Sequence, residues 1–258
     1  MLRYFISDLH LSDKRLDLIQ AFVHLTDEIC HSKAPCELYI LGDFFEAYIG
    51  DDYQPDWVTQ LDLQLQKLHQ RKVTTYFIAG NRDFLVGDRW FKRNQVIELP
   101  EQSPLTIDGI KVVLTHGDEF CVDDKAYQEF RAMVRQPAWQ QQVLAMPLEQ
   151  RLALAQKLRD DSKSSSADKS MAIMDVNLDE ISRVLPSDTD LLIHGHTHRP
   201  ALHDSENIKR LVLGDWDRSI WCGVLKDNSF KHYSMDTQSY LDQVTPVSEW
   251  RAMQTVNL

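Results

Sequence analysis

No stretch of the 258-residue sequence comes near the roughly 18 consecutive apolar residues that a membrane-crossing helix needs. Any contact with a bilayer is therefore expected to be peripheral. Positive charge is also in short supply. Against 39 Asp and Glu there are 28 Lys and Arg, a net charge of −11. That is the opposite of the basic face nonspecific nucleic-acid binding requires, and it weighs against broad attraction to anionic lipid. Cysteine is sparse. Cys30, Cys36, Cys121 and Cys222 show no paired zinc spacing, and each sits among apolar neighbours. They read as small buried or half-buried thiols in a reducing compartment. The opening MLRYFI has one basic residue and an apolar run too short for a secretory signal, so a cytoplasmic location is expected. The charged and apolar fractions are ordinary for a globular protein, and the length allows one large core or two small ones.

Within those bounds the first third alternates short apolar runs with helical patterns. Leu2–Ile6, Leu38–Leu41 and Thr74–Ala79 read as strands, and Leu16–Ile29 and Trp57–Leu68 as helices. This βαβαβ order predicts a largely parallel, buried α/β sheet. Val112–Thr115 and Leu191–Ile193 continue the strand pattern. Arg210–Leu213, Ser219–Val224 and Phe230–Ser234 follow so closely on one another that antiparallel pairing is expected. Residues 122–170 differ, with no strand pattern and no glycine. Tyr127, Phe130, Met133 and Val134 fall at helical spacing, as do Leu148, Leu152, Ala155 and Leu158, and DDSKSSSADKS at 160–170 reads as a polar break. Residues 1–121 and 171–238 then form one discontinuous core, 122–170 a helical cap, and 239–258 a tail without clear periodicity. The cap reverses the charge of its surroundings. Residues 125–171 carry eight basic and five acidic side chains, +3 against −14 for the remainder.

The segments that leave the strands carry the chemistry. Asp8-Leu9-His10 follows the first strand, Gly42-Asp43 the second and Gly80-Asn81-Arg82-Asp83 the third. His116-Gly117-Asp118 follows the fourth and Gly195-His196-Thr197-His198 the fifth. Sites in open α/β sheets form beyond the carboxyl ends of the strands, so five segments deliver Asp8, His10, Asp43, Asn81, His116, His196 and His198 to one edge. Seven mixed nitrogen and oxygen donors, one of them a carboxylate able to bridge, exceed what one tetrahedral zinc takes and suit two divalent ions. The donor types favour Mn²⁺, then Fe²⁺, Co²⁺ or Zn²⁺, over Mg²⁺ alone.

The series DxH … GDFFE … GNRD … THGDEF … HGHTHRP resembles the calcineurin-like metallophosphoesterase family, over about residues 1–235. The resemblance implies a four-layer αββα fold: a β-sandwich flanked by helices, with the helical cap inserted. It implies two Mn²⁺, with Asp8, His10 and His198 on the first ion, Asn81, His116 and His196 on the second, and Asp43 between them. His194 matches no ligand of the family and is expected to pack or hydrogen-bond at its strand end. The longer strings SDLHLS, LGDFFEAYIGDD, GNRDFL, LTHGDEFCVDD, SKSMAIMDVN and HGHTHRPA resemble the branch that cleaves the pyrophosphate of UDP-2,3-diacylglucosamine in lipid A biosynthesis. For that branch the resemblance implies UMP and 2,3-diacylglucosamine 1-phosphate (lipid X) as products, with Asp43, Asn81, Arg82 and His116 catalytic. It implies substrate contacts from Asn81, Arg82, Asp124, Ser162, Ser166, Lys169 and His196, and peripheral contact with the cytoplasmic face of the inner membrane. No nucleic-acid or protein partner is expected.

Arg82 stands where many members of the wider family carry a histidine that protonates the leaving group. A guanidinium stays protonated and cannot act as that acid. A phosphomonoester, with a second pKa near about 6, can depart without it. Arg82 therefore fits phosphoanhydride cleavage better than cleavage of an alkyl phosphodiester. Arg159 and Lys163 are further cap residues whose charge suits phosphate binding.

Overall fold

The computed structural model describes residues 1–107, 109–167, 173–204 and 208–257. The chain begins β1 (Leu2–Ile6), α1 (Leu16–His31), β2 (Cys36–Leu41), α2 (Asp56–Gln70), β3 (Thr74–Ile78), α3 (Asp88–Asn94) and β4 (Val96–Glu98). It continues with β5 (Gln102–Ile107), β6 (Ile110–Thr115), α4 (Lys125–Val134), α5 (Pro137–Leu144), α6 (Leu148–Ala167) and α7 (Leu178–Val184). The last part holds β7 (Leu191–His194), β8 (Ala201–Asp204), β9 (Lys209–Val212), β10 (Ser219–Lys226), β11 (Ser229–Asp236), α8 (Thr237–Asp242) and β12 (Arg251–Asn257).

Because successive strand side chains point to opposite faces, a strand apolar at every position must be covered on both sides. That is what builds the layers. In β1, Tyr4 and Ile6 join one apolar cluster with Phe22, Leu25, Leu61, Leu65 and Trp90 of α1, α2 and α3. Phe5 faces the other way and meets Tyr39, Leu41 and Ile78 together with Val112, Leu114, Leu191 and Ile193 of a second sheet. Val113 and Leu192 leave the far face of that second sheet and pack on Phe120 of the turn after β6, Val176 of the loop before α7 and Ile181 of α7. The result is helix, sheet, sheet, helix, the arrangement implied by the resemblance. One sheet has the order β12-β11-β10-β1-β2-β3-β4 and the other β5-β6-β7-β9-β8. β1, β2, β3 and β4 run parallel, as do β6, β7 and β9. The active strands of both sheets thus present their carboxyl ends to the same side of the sandwich.

Three expectations are corrected. The strand at Arg210–Leu213, expected to pair antiparallel, runs parallel to β7 as β9 and takes its antiparallel partner from β8, which has no apolar pattern of its own. The polar break at 160–170 is helical through Ala167: on an exposed face Gln156 donates forward to the Asp160 carboxylate and Ser164 donates back to the Asp160 carbonyl oxygen, so polar side chains are accommodated within the helix. The expected tail is part of the core. β12 pairs antiparallel with β11, and Tyr240, Val247 and Trp250 are buried against α1. β12 is an edge strand with Val256 as its one buried residue, so it shows no alternation. Among the described residues no helix is long and apolar enough to cross a membrane, and all four cysteines are unpaired, three of them buried.

Glu28 of α1 fastens that last segment by accepting the Val247 N–H at 3.0 Å. Burial raises its carboxyl from 4.5 to about 7. Between those two values the folded chain holds a proton that the unfolded chain has lost. The favourable contribution of this group is therefore complete below pH 4.5 and disappears as pH rises to about 7. Glu28→Gln keeps an acceptor for Val247. It should melt several degrees above the parent protein at pH 8, with the gap closing below pH 4.5; a gap independent of pH in thermal melts would contradict this reading.

Candidate metal centre

The seven predicted donors converge from the five strand ends. Asp8 and His10 leave β1, Asp43 leaves β2, Asn81 leaves β3, His116 leaves β6, and His196 and His198 leave β7. Backbone hydrogen bonds lace these loops to one another: Asp8 N to Gly42 O (3.0 Å), His10 N to Asp43 O (3.0 Å) and Gly195 N to His116 O (2.9 Å). Five of the donors, Asp8, His10, Asp43, His196 and His198, have φ between 48° and 67°. This left-handed region is several-fold enriched in Asp, Asn and His but still costs on the order of 1–3 kcal/mol each, and the lacing supports that cost. Gly80 and Gly195 are required by proximity: a Cβ on the first would collide with Asp43 Oδ1, and on the second with Asp8 Oδ2.

The donor atoms form two groups that share Asp43. In the first, His10 Nε2 lies 3.2 Å from His198 Nε2 and 4.0 Å from Asp43 Oδ2, and His198 Nε2 lies 3.5 Å from Asp8 Oδ1. In the second, Asn81 Oδ1 lies 3.0 Å from both His116 Nε2 and His196 Nδ1, and His116 Nε2 is 3.6 Å from Asp43 Oδ1. Asp8, His10 and His198, and separately Asp8, Asp43 and His116, place one atom each within 4.8 Å of one another. Lone-pair atoms crowded this closely need positive charge between them, and hard oxygens mixed with imidazoles are the donor chemistry of a divalent transition metal. The residues fit such an ion.

Protonation tells the same story. Burial pushes His116 and His198 down, but the Asp43 and Asp8 carboxylates around His116, and Asp8 and Asp215 beside His198, raise both to about 9. Burial likewise disfavours the charged Asp8, but the hydrogen bond and charge of His198, with His116 and His10, hold its carboxyl below the usual carboxylate range. His196 is pushed down to about 4, first by burial and then by the charge on His116. The site is thus a pocket of negative potential that gathers protons when no other cation is there. Asp83, fully buried, stays out of it: its carboxylate accepts the N–H of Gly80 and of Phe44, each at 2.7 Å, and clamps two ligand loops together. His194, the extra histidine of the HGHTHRP motif, is also fully buried. Its Nδ1 donates to Gly195 O (2.9 Å), its Nε2 accepts from Arg210 (3.1 Å), and burial and the Arg210 charge lower it to about 3, so it is a neutral strut.

The other predicted residues lie along the mouth. Arg82 Nε is 4.0 Å from Asp43 Oδ2, buried, and without a hydrogen-bond partner among the described residues. Neither Asp83 nor Asp118 takes its charge, since Asp118 binds Arg131, Arg135 and Tyr127. Arg82, Asn81, Asp124 and Ser162 line a cavity of about 320 Å³ between the strand-end loops and helices α4, α5 and α6. Phe84, Leu85, Phe130, Trp139, Val143, Leu154 and Leu158 make most of its remaining wall apolar. Asp124 also caps α4 by accepting the N–H of Tyr127. The side chains of Lys163 and Ser166, and the whole of Lys169, lie outside the described residues.

The sequence reading missed several participants. Tyr127 lays its ring over His196 (centroids 5.8 Å apart) and donates to Asp118 at 2.7 Å. Its helical spacing marked it only as an apolar cap residue. Arg131 and Arg135 bind Asp118 and Glu101, and Arg135 reaches Gly80 O at 3.1 Å, so α4 is bolted to the ligand loops. Glu46 lies 3.1 Å from His10 Nδ1, and Arg159 is engaged by Glu46 rather than facing the cavity with a free charge. The string GDFFE contained Glu46, but nothing in its spacing distinguished it from a solvated acid.

Residues 1–200 match the family model described as calcineurin-like phosphoesterase. A UDP-2,3-diacylglucosamine hydrolase of Tolumonas auensis is 40% identical over 227 residues, covering 86% of this chain and 92% of that protein. The protein of the same name from Shewanella pealeana is 44% identical over 215 residues, covering 82% and 89%. Among solved structures GAP50, the anchor in the inner membrane complex of Plasmodium, is 10% identical, with a TM-score of 0.51 over 100% of this chain and 88% of that one; this is a likeness of fold alone.

A cation entering this site must displace the protons held by His116 and His198. Uptake of Mn²⁺ by metal-free protein should therefore release protons at pH 7 and tighten as pH rises toward about 9. Calorimetry in two buffers of different ionisation enthalpy measures the release directly, and identical heats in both would rule it out.

Proposed function

Because the chain belongs to the calcineurin-like phosphoesterase family, we propose that it hydrolyses the pyrophosphate bond of UDP-2,3-diacylglucosamine by attack of water on the α-phosphorus, giving UMP and lipid X in lipid A biosynthesis. Relatives of 40–44% identity bear the name of that hydrolase over most of both chains. The observation that carries the reading is a juxtaposition: a donor set fit for two cations opens, past a half-buried arginine whose Nε makes no hydrogen bond among the described residues, into an apolar cavity roofed by helices. That is the shape of a substrate with a diphosphate at one end and hydrocarbon at the other.

Divalent cations, two Mn²⁺ in this reading, supply positive charge for the phosphate oxygens and acidify a water. Asp8, His10 and His198 would hold one, Asn81, His116 and His196 the other, and Asp43 both. The chain's own residues do the rest. Asp43 is fixed for its role by the Arg82 N–H, which donates to Oδ1 at 2.8 Å, and by burial. The Arg82 guanidinium, with Nε unspent, neutralises charge on the diphosphate as the bridging bond lengthens. It offers no proton, so the leaving sugar phosphate departs as the anion, which a phosphoanhydride tolerates. Asn81 and His196 touch the same phosphates, while Asp124, Ser162, Ser166 and Lys169 meet the sugar and its phosphate. The cavity takes acyl chains, excluding water from the groups at its mouth.

Purified protein with Mn²⁺ should release UMP from UDP-2,3-diacylglucosamine, and chelation should stop it. Deacylated UDP-glucosamine should lose at least about tenfold in kcat/KM, since each buried methylene is worth about 0.8 kcal/mol. Asp43→Ala should cost at least about 10²–10³ in kcat with an unchanged circular dichroism spectrum. In ¹⁸O-water the label should appear in UMP; label confined to lipid X would reject attack at the α-phosphorus.

The location follows from the substrate. An amphiphilic lipid resides in a bilayer, so the protein works at the cytoplasmic face of the inner membrane. Arg131, Arg135, Arg151 and Arg159 of the insertion are taken up by Asp118, Glu101, Asp52 and Glu46, so exposed lysines such as Lys125 and Lys157 make its contact with anionic lipid. Cosedimentation with liposomes should rise with anionic lipid content and fall with salt; binding indifferent to both would remove this placement.

A further inference from the structure

His10 presents its Nε2 to the first donor group, which leaves Nδ1 on the far side of the ring. There Glu46 Oε2 approaches to 3.1 Å in an ion-pair contact and is the carboxylate facing an Nδ1 that is buried and makes no hydrogen bond among the described residues, with His10 and Glu46 side chains only 17% and 30% exposed. Glu46 does not stand alone. The guanidinium of Arg159 grips it at two points, donating from Nη1 to its carbonyl oxygen at 3.0 Å and pairing through Nη2 with Oε1. Arg159 belongs to α6, 113 residues further along the chain, and its side chain is 15% exposed. A continuous line of contacts therefore runs from the cation site through an imidazole and a carboxylate into the helical insertion. The other histidine of this donor group is backed differently. His198 Nδ1 lies 3.5 Å from Asp215 Oδ2, on the loop that follows β9.

We infer that Glu46 is a positioning residue for the first cation site, and that Arg159 makes the affinity of that site depend on the helical insertion. The negative charge beside Nδ1 favours the His10 tautomer with hydrogen on that atom, which leaves the Nε2 lone pair for the donor group of Asp8, His198 and Asp43 and raises the donor strength of the ring. Arg159 sets where that carboxylate points. Its planar fork is what matters: a lysine carries the same charge but cannot hold the backbone oxygen and the carboxylate together in fixed geometry. By linkage, whatever positions α6 also positions His10, and a cation on His10 holds α6 down by the same free energy. The inference rests on the reading that His10 binds a cation, and its test is arranged to separate the two.

Metal-free full-length protein is titrated calorimetrically with Mn²⁺. The parent protein takes up the ion, and Glu46→Gln weakens binding at the affected site by about 10- to 100-fold. Arg159→Lys weakens it by at least threefold in the parent background and by nothing further in the Glu46→Gln background. Turnover of Glu46→Gln recovers when Mn²⁺ is raised in proportion to the lost affinity; a purely structural or substrate-binding role would not be rescued in this way. Thermal melts without metal establish that each variant is folded. Parent and Glu46→Gln binding Mn²⁺ equally within twofold overturns the inference while leaving the cation site standing. An unchanged affinity in Arg159→Lys overturns the link to the insertion. A parent protein that takes up no Mn²⁺ overturns both.

Discussion

The Asp43 carboxylate, buried between two sets of imidazoles, has one oxygen toward His10 and the other toward His116 and the Arg82 amide. A carboxylate there cannot be left unbalanced. Taking an ion out of water costs several kcal/mol even after relaxation, and Asp8 adds a second negative charge nearby. The balance must come from protons on the histidines or from cations, and the raised His116 and His198 show which way the potential runs. Most of what surrounds this residue can be understood as the means of keeping it in place: left-handed turns at its neighbours, a glycine at position 80 because no Cβ fits against it, and Asp83 behind it clamping the loops on either side.

Strained loops of this kind persist only on a scaffold that does not yield. The sandwich provides one because its central strands are apolar on both faces. Phe5, Tyr39 and Ile78 lock one sheet to Leu114, Leu191 and Ile193 of the other, and the outward residues lock each sheet to helices. Sliding one strand by a residue would exchange its two apolar sets and unseat both layers. The register that packs the core is thus also the register that aims Asp8, Asp43, Asn81, His116 and His196 at one point. Stability and site geometry are set by the same side chains.

That coupling explains what could be read in the sequence and what could not. Buried parallel strands are apolar runs with abrupt polar ends, and here the abrupt ends are the candidate donors, so β1, β2, β3, β6 and β7 announced the fold and the converging donor positions together. β8 and β12 are half-exposed edges whose partners rather than their own pattern make them strands, and no local signal marks such a segment. α8 is six residues long, too short to show a period. Glu46, Tyr127, Arg131 and Arg135 were illegible for a different reason. Each is a common polar or amphipathic residue whose role comes only from what the fold sets beside it. Glu46 and Arg159 are separated by more than a hundred positions and meet because the insertion folds back across the strand ends. Donor residues that need unusual backbone and neighbouring glycines leave a trace in sequence; residues that support them through ordinary ion pairs do not.

The two walls of the site also constrain one another. On one side lies a cluster of charges that gains strength when water is excluded; on the other lies a cavity walled by Phe84, Phe130, Trp139, Leu154 and Leu158 that gains nothing from holding water. A small hydrophilic diphosphate would satisfy the first wall and leave the second wet, so the charges would act in a higher dielectric and Arg82 would be solvated rather than pressed on phosphate. A lipid without phosphate would fill the second wall and leave Arg82 Nε and the donor cluster unmatched. Only a molecule carrying both parts at the right separation satisfies both walls at once. Its hydrocarbon portion then contributes to rate as well as to affinity, because binding energy gained far from the phosphorus is what dries and orders the groups around it.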